Sequence, residues 1–223
     1  MKKKQTYNNM ILSKKARKIN VEISEEGTRL GDLRIIAKEI KKDHELAKEL
    51  WSTGKLLARL LAILIMDKKE LNFDVIENLI KDIQNHQLDE CLQLADWLMA
   101  NQLTKDKKTI TLIESWENNS SAIKRRIFWY YQGRLRWTGQ IPPDNTKELL
   151  TAIEEKMSKE KPEVQWAMNF TAAWIGIFDQ SYRSQCVKIG EKIGLYKDEV
   201  VPKGCSPSYL PEFIGLEVKK RNL

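Results

Sequence analysis

The sequence is poor in the residues that build metal-held or nucleophilic sites. Its three cysteines, Cys91, Cys186 and Cys205, are far apart and odd in number, and no CxxC pair exists. The only histidines, His44 and His86, have no partner at metal-ligand spacing. No metal site and no cofactor is therefore expected. The phosphate-cradling GxGxxG and GxxxxGKS patterns are absent, as is the GxSxG elbow of hydrolases. Long apolar runs are missing too. The longest stretch without a formal charge is Val164 to Phe178, fifteen residues that include Gln165, Asn169 and Thr171. A spanning helix needs about 20 mostly apolar residues, so no membrane partner is expected. Lys2–Lys4 lead into polar Gln5–Asn9 rather than an apolar core, and the expectation is a cytoplasmic protein.

Proline is also missing from residues 1–141 and occurs only at 142, 143, 162, 202, 207 and 211. A long proline-free stretch rich in Leu, Lys and Glu favours helix, because proline removes a backbone donor and clashes with the preceding turn. The apolar spacing agrees: Leu56, Leu57, Leu60, Leu61 and Leu64 share one helical face, as do Phe73, Ile76, Ile80 and Ile83. Helices are expected near 30–42, 44–51, 54–66, 73–85, 89–101, 107–117, 121–136, 146–159, 163–177 and 181–194, with no strand–turn–strand signal. Many short helices with short connections predict an all-α array of stacked pairs, an α-α superhelix; a compact non-repeating bundle is the alternative.

What is present is charge, unevenly placed. The chain has 38 basic and 31 acidic residues, a net of +7. Residues 1–21 hold seven of the basic residues and no acid, so the remainder balances at 31 against 31. Residues 1–22 read as a flexible basic tail and 23–223 as one helical-repeat domain. Within the body, residues 118–143 carry Lys124, Arg125, Arg126, Arg134 and Arg136 with no acid, interleaved with Phe128, Trp129, Tyr130, Tyr131 and Trp137. Cations neutralise phosphates and rings stack on bases, which makes this block a candidate nucleic-acid surface. The competing reading is a solvated charged face over a packed core. Trp51, Trp97, Trp116 and Trp174 sit at helical spacing among apolar residues and read as core, and Gln165, Trp166 and Phe170 mix polar and aromatic character.

Several blocks, in order, resemble the AlkD-like DNA alkylation repair proteins. They are Leu30–Lys38, Asp43–Trp51, Ala58–Ala62, Val164–Asn169, Ile175–Gly176, Gly194–Lys197 and Lys203–Ile214. The resemblance, over roughly residues 28–214, implies a superhelix of HEAT-like repeats whose basic face holds duplex DNA, alkylated or not. It also implies kinship with glycosylases that hydrolyse the N-glycosidic bond of N3- and N7-alkylated purines. Such a reaction asks for a carboxylate near the sugar, because negative charge stabilises the developing oxocarbenium ion.

Carried over residue by residue, the family's catalytic segment, approximately Trp-Asp-x-Cys-Asp-Gln, falls on Leu88-Asp89-Glu90-Cys91-Leu92-Gln93. Asp89, Cys91 and Gln93 match, whereas Leu88 replaces the DNA-facing Trp and Leu92 the catalytic Asp. The family's DNA-contacting Arg corresponds to Arg126, with Arg125 as a one-residue alternative and Lys124 beside them; its second aromatic platform corresponds to Phe170, with Gln165 and Trp166 nearby. The expected function is DNA binding with the family's excision route missing its carboxylate. Two alternatives stand beside it: an active alkylpurine glycosylase using Asp89 as a substitute, and a protein-binding scaffold. Asp89 also reads as an N-cap, the usual role of Asp before a helix, and this is the favoured reading.

Overall fold

The computed structural model describes residues 11–24 and 27–223; Lys2, Lys3 and Lys4 of the basic tail lie outside them. Twelve α-helices and three short 3₁₀ turns make up the regular structure of the described residues, with no strand among them. No helix there is long and apolar enough to cross a membrane. The sequence reading set one repeat domain over 23–223; the chain divides by its contacts into two compact units, residues 1–112 and 113–223.

The first unit holds α1 (Lys14–Glu22), α2 (Leu30–Ile40), α3 (His44–Ser52), α4 (Leu56–Ile65), α5 (Phe73–Ile83) and α6 (Leu88–Asn101). Helix α1 replaces much of the expected flexible tail. Ser13 caps it by accepting from the Ala16 N–H, and Ala16, Ile19 and Ile23 form a buried stripe at i, i+3, i+7. Lys15 reaches Asp43 at 2.8 Å, and the Ser13 N–H donates to Glu49 at 2.7 Å, which ties α1 to α3 and its cap. The basic charge of this segment concealed its apolar stripe. Helix α4 is buried along most of its length, including Leu60, Leu61 and Ile63. Truncating one such leucine to alanine costs about 2–5 kcal/mol.

A polar network closes the same unit. Arg59, 6% exposed, donates to the Trp51 and Asp82 carbonyls at 3.2 and 2.9 Å, while the Trp51 indole N–H donates to the Asp82 carboxylate at 2.8 Å. Burial pushes the Arg59 guanidinium below its ordinary pKa, and the Asp82 charge opposes this. Arg59 also faces His86 Nε2 at 2.7 Å, and His86 Nδ1 faces Glu90 at 2.6 Å. An arginine can only donate, so the network assigns the imidazole proton to Nδ1, directed at Glu90.

Helix α7 (Lys107–Glu114) straddles the boundary. The second unit holds α8 (Ala122–Trp137), α9 (Thr146–Lys156), α10 (Pro162–Phe178), α11 (Gln180–Ile193) and α12 (Leu210–Arg221). Helix α10 packs against α8, α9, α11 and α12. It starts on Pro162, whose missing N–H is unneeded in the first turn, and buries Ala167, Met168, Ala172 and Ile175. Gly194, at φ 67°, supplies the left-handed residue that ends α11.

Candidate nucleic-acid interface

Helices α8 and α10 approach closely because Gly133 has no side chain. A Cβ there would lie 2.6 Å from Phe170 Cδ1 and 3.0 Å from Thr171 Cα. Thr171 reinforces the contact by donating to the Trp129 carbonyl. This approach fixes Phe170 against α8 and with it a row of rings.

Along α10, Trp166, Phe170, Trp174 and Phe178 recur every four residues, so they stand one above another on a single face. Trp166 stacks on Phe170 with centroids 5.4 Å apart and planes 16° apart. Trp174 stacks on Phe178 at 5.6 Å and 20°, and Phe170 meets Trp174 edge-on at 5.9 Å. Two rings of α8 join from the side. Tyr130 packs against Trp166 and Phe170, and Trp137 packs edge-on to Phe170 and stacked on Trp174. Guanidinium groups sit at both ends: Arg126 lies 4.6 Å from the Trp166 centroid, and Arg221 lies 5.2 Å from Trp174 and 5.6 Å from Phe178. The row is partly open to solvent, with Trp137 42% and Phe178 44% exposed, Trp166 and Phe170 half-buried, and Trp174 buried.

The structure changes what the basic block can do. Arg125 makes a bidentate pair with Glu160 at 2.8 and 2.7 Å and donates to the Asn119 and Ser120 carbonyls. Arg126 is 5% exposed and donates to the Glu163 carbonyl at 2.8 Å. Lys124 lies 5.5 Å from the Trp116 ring. Arg136 is buried, bonded to the Gln132 carbonyl and to Asn145 and Thr146; burial lowers its pKa, and the Asp179 charge opposes this. Arg134 differs from all of these. It lies 5.4 Å from the Trp137 ring and has no acidic partner among the described residues. The block therefore presents far less free charge than its composition suggests.

Of the expected binding residues, Lys124, Arg125, Arg126, Gln165, Trp166 and Phe170 all fall in the second unit, on α8 and α10. Asp89 stands on α6 of the first unit. The expected N-cap role of Asp89 is corrected: α6 begins at Leu88, its cap residue is Gln87 without a side-chain cap bond, and Asp89 lies in the first turn beside Glu90. One extra helical residue at the start moved it past the cap. Both carboxylates there face the helix's positive end. Asp89 is exposed, Leu92 is half-buried and Leu88 is 54% exposed, so leucine side chains stand beside the acidic pair at the start of α6. Among the described residues no group of His, Cys, Asp or Glu is arranged to hold a metal ion.

Spacing could have revealed Trp174 and Phe178 as part of the row, since the four-residue repeat continues past Phe170. Trp137 and Arg134 already stood in the basic aromatic block, whereas Arg221 carried no such signal.

Comparison with known proteins adds family and fold. No curated protein sequence is matched. A solved structure, described as that of a new family of proteins related to the HEAT-like repeat DNA glycosylases with affinity for branched DNA structures, superposes with a TM-score of 0.69. The likeness covers 95% of this chain and 90% of that one at 20% identity, and it establishes the shared fold. The sequence also matches the family described as DNA alkylation repair enzyme over residues 14–188. That span takes in α1 through most of α11, well over half of the chain, and on it this protein belongs to the DNA alkylation repair family.

Proposed function

We propose that this protein binds structured DNA through the ring row of its second unit and does not excise alkylated bases by its family's usual route. The observation that carries the reading is the partly exposed row on α10, flanked by guanidinium groups, in a member of this family. Aromatic faces bind unstacked bases with little regard for sequence. Branch points and distorted duplexes expose such base faces, and the solved relative is described as having affinity for branched DNA structures. Trp166, Phe170 and Gln165 contribute the contact surface. Arg126 holds Trp166 in place, Arg125 ties α8 to Glu160 just before α10, Lys124 supports α8 from Trp116, and Arg134 neutralises phosphate.

Loss of excision follows from Leu92. A leucine cannot stabilise a developing oxocarbenium ion, and the nearby exposed Asp89 acts through water, where a charge at 4 Å is worth only about 1 kcal/mol. The test pairs two assays, release of 7-methylguanine or 3-methyladenine from alkylated duplex and binding to branched against linear DNA. Salt-dependent binding with a preference for branched DNA and no base release is expected, and Leu92→Asp is the variant that restores release. Release by the wild-type protein, abolished by Asp89→Asn, would overturn the reading in favour of a substitute carboxylate.

A further inference from the structure

Ile141, at the tip of the loop joining α8 to α9, is 96% exposed. One exposed isoleucine is ordinary in itself. Its setting is less so, because the tip is pinned on both sides. Helix α8 ends with the Gly139 N–H donating to the Arg136 carbonyl at 3.0 Å and the Gln140 N–H to the Leu135 carbonyl at 2.9 Å. Gly139, at φ 69°, supplies the left-handed residue that this paired closure requires. On the far side the Asn145 N–H donates to the Pro143 carbonyl at 2.9 Å, and its side-chain amide donates to Gln132 at 3.2 Å. Only residues 141–144 separate Gln140 from Asn145, and two of them are Pro142 and Pro143. Proline fixes its own φ and holds the preceding residue extended, so Ile141 has little freedom to fold back.

The tip borders the open end of the ring row. Gln140 and Pro142, on either side of Ile141, line a cavity of about 350 Å³ together with Trp174 and Phe178 of α10. Trp137, the last residue of α8, stacks on Trp174, and the Arg134 guanidinium lies by Trp137 without an acidic partner among the described residues. An apolar point, partly open rings and a guanidinium are thus gathered at one edge of the second unit.

We propose that Ile141 is a wedge that enters the base stack of bound DNA at a branch point. This rests on the DNA-binding reading above and names the side chain that selects the branch. A protein partner fits the tip poorly: a stable protein interface buries about 800 Å² per side, and the tip offers little more than one isoleucine. A wedge needs no more, since a single inserted apolar side chain can open a base step. In a closed duplex the cost of unstacking that step offsets the gain from burying the side chain. At a branch point the stack is already interrupted, and the gain is kept. Because the tip is pinned, little loop freedom is lost on insertion. The exposed rings then face the bases beside the gap, and Arg134 meets a flanking phosphate.

The test places 2-aminopurine, whose fluorescence rises when it leaves the stack, at the branch point of a three-way junction, with a linear duplex for comparison. Binding of the full-length protein is measured at about 50 mM salt. The wild type is expected to raise the junction emission on binding. Ile141→Ser binds the junction about tenfold more weakly, the size of one buried isoleucine, and no longer raises the emission. The linear duplex loses much less. Ile141→Leu keeps both properties, since leucine also serves as a wedge. Equal melting temperatures check that both variants fold, as expected for a side chain with almost no contacts. Either an unchanged junction affinity or an unchanged rise in emission with Ile141→Ser overturns the wedge and leaves DNA binding standing. So does an equal loss of affinity for junction and linear duplex. Absence of wild-type binding to either DNA overturns the DNA-binding reading and this inference together.

Discussion

The Arg126 guanidinium lies 4.6 Å from the centre of the Trp166 indole, and that same indole stacks on Phe170 at 5.4 Å. A buried cation thus sets the position of the first two rings of the row. Arg126→Ala removes this contact and the bond to the Glu163 carbonyl, for an expected loss of about 2 kcal/mol in urea unfolding. Arg126→Lys recovers only part of that, since an ammonium cannot both lie over the ring and keep the planar fork of donors.

Arg134 is the contrasting case. Among the described residues its guanidinium has the Trp137 ring and no acidic partner, so Arg134→Ala changes stability by no more than about 0.5 kcal/mol. Its effect belongs in the salt dependence of DNA binding, where losing one phosphate contact reduces the slope of log K against log salt by about one. An unchanged slope would exclude Arg134 from phosphate contact.

Gly133→Ala tests the approach of α8 to α10. The added methyl meets both a ring and the Thr171 backbone, and the backbone cannot swing aside as a flexible side chain would. Overpacking of this kind costs about 1–3 kcal/mol, read as a lower melting temperature. DNA affinity falls with it because Phe170 is displaced.

The three cysteines differ sharply in reactivity. Burial, then the Asp179 charge, pushes the Cys186 thiol up to about 12, and Cys91 is also buried, while Cys205 is exposed. Thiolate is the nucleophile, so a thiol reagent at about pH 8 should label Cys205 alone in the folded protein. Denaturation releases the other two. Rapid labelling of Cys186 in the native state would contradict its placement.

Helix α1 carries a pH-sensitive tether. The Lys15 ammonium, bonded at 2.8 Å, holds the Asp43 carboxyl below its ordinary value of 3.8, with the Leu46 N–H adding to this and burial opposing it. A carboxyl with a lowered folded-state pKa stabilises above the unfolded value, and that contribution is lost as pH falls through the folded value. Both side chains are substantially exposed, 57% and 30%, so the pair contributes about 0.5 kcal/mol. Lys15→Ala should be less stable than the wild type by that amount at neutral pH, and the difference should vanish at about pH 2.

Ten helices were legible because periodicity is local: the expected 44–51, 73–85 and 121–136 became α3, α5 and α8 within one or two residues at each end. The two helices not expected were concealed for different reasons. In α1, the four basic residues outnumbered the apolar stripe; in α12, Pro211 suggested a break although proline is well tolerated in a first turn. The basic block was read correctly as composition and could not be read as surface. Glu160 lies 35 residues from Arg125, and Glu163 lies 37 from Arg126, distances over which spacing says nothing about pairing. The ring row was half visible. Trp166 and Phe170 read as a site and Trp174 as core; Trp174 is indeed buried, and it also continues the row by meeting Phe170 edge-on.

The placement of the rings also makes the molecule its own optical reporter. Trp116, Trp129, Trp137, Trp166 and Trp174 belong to the second unit, against Trp51 and Trp97 in the first. The first-unit indoles are both buried, each with its N–H donated within the protein, to Asp82 and to the Leu60 carbonyl. Intrinsic emission is therefore weighted towards the α8–α10 surface, and the half-open indoles Trp137 and Trp166 are the ones a docking partner would quench. Unlabelled protein can be titrated directly, with the enclosed indoles of the first unit as a constant background.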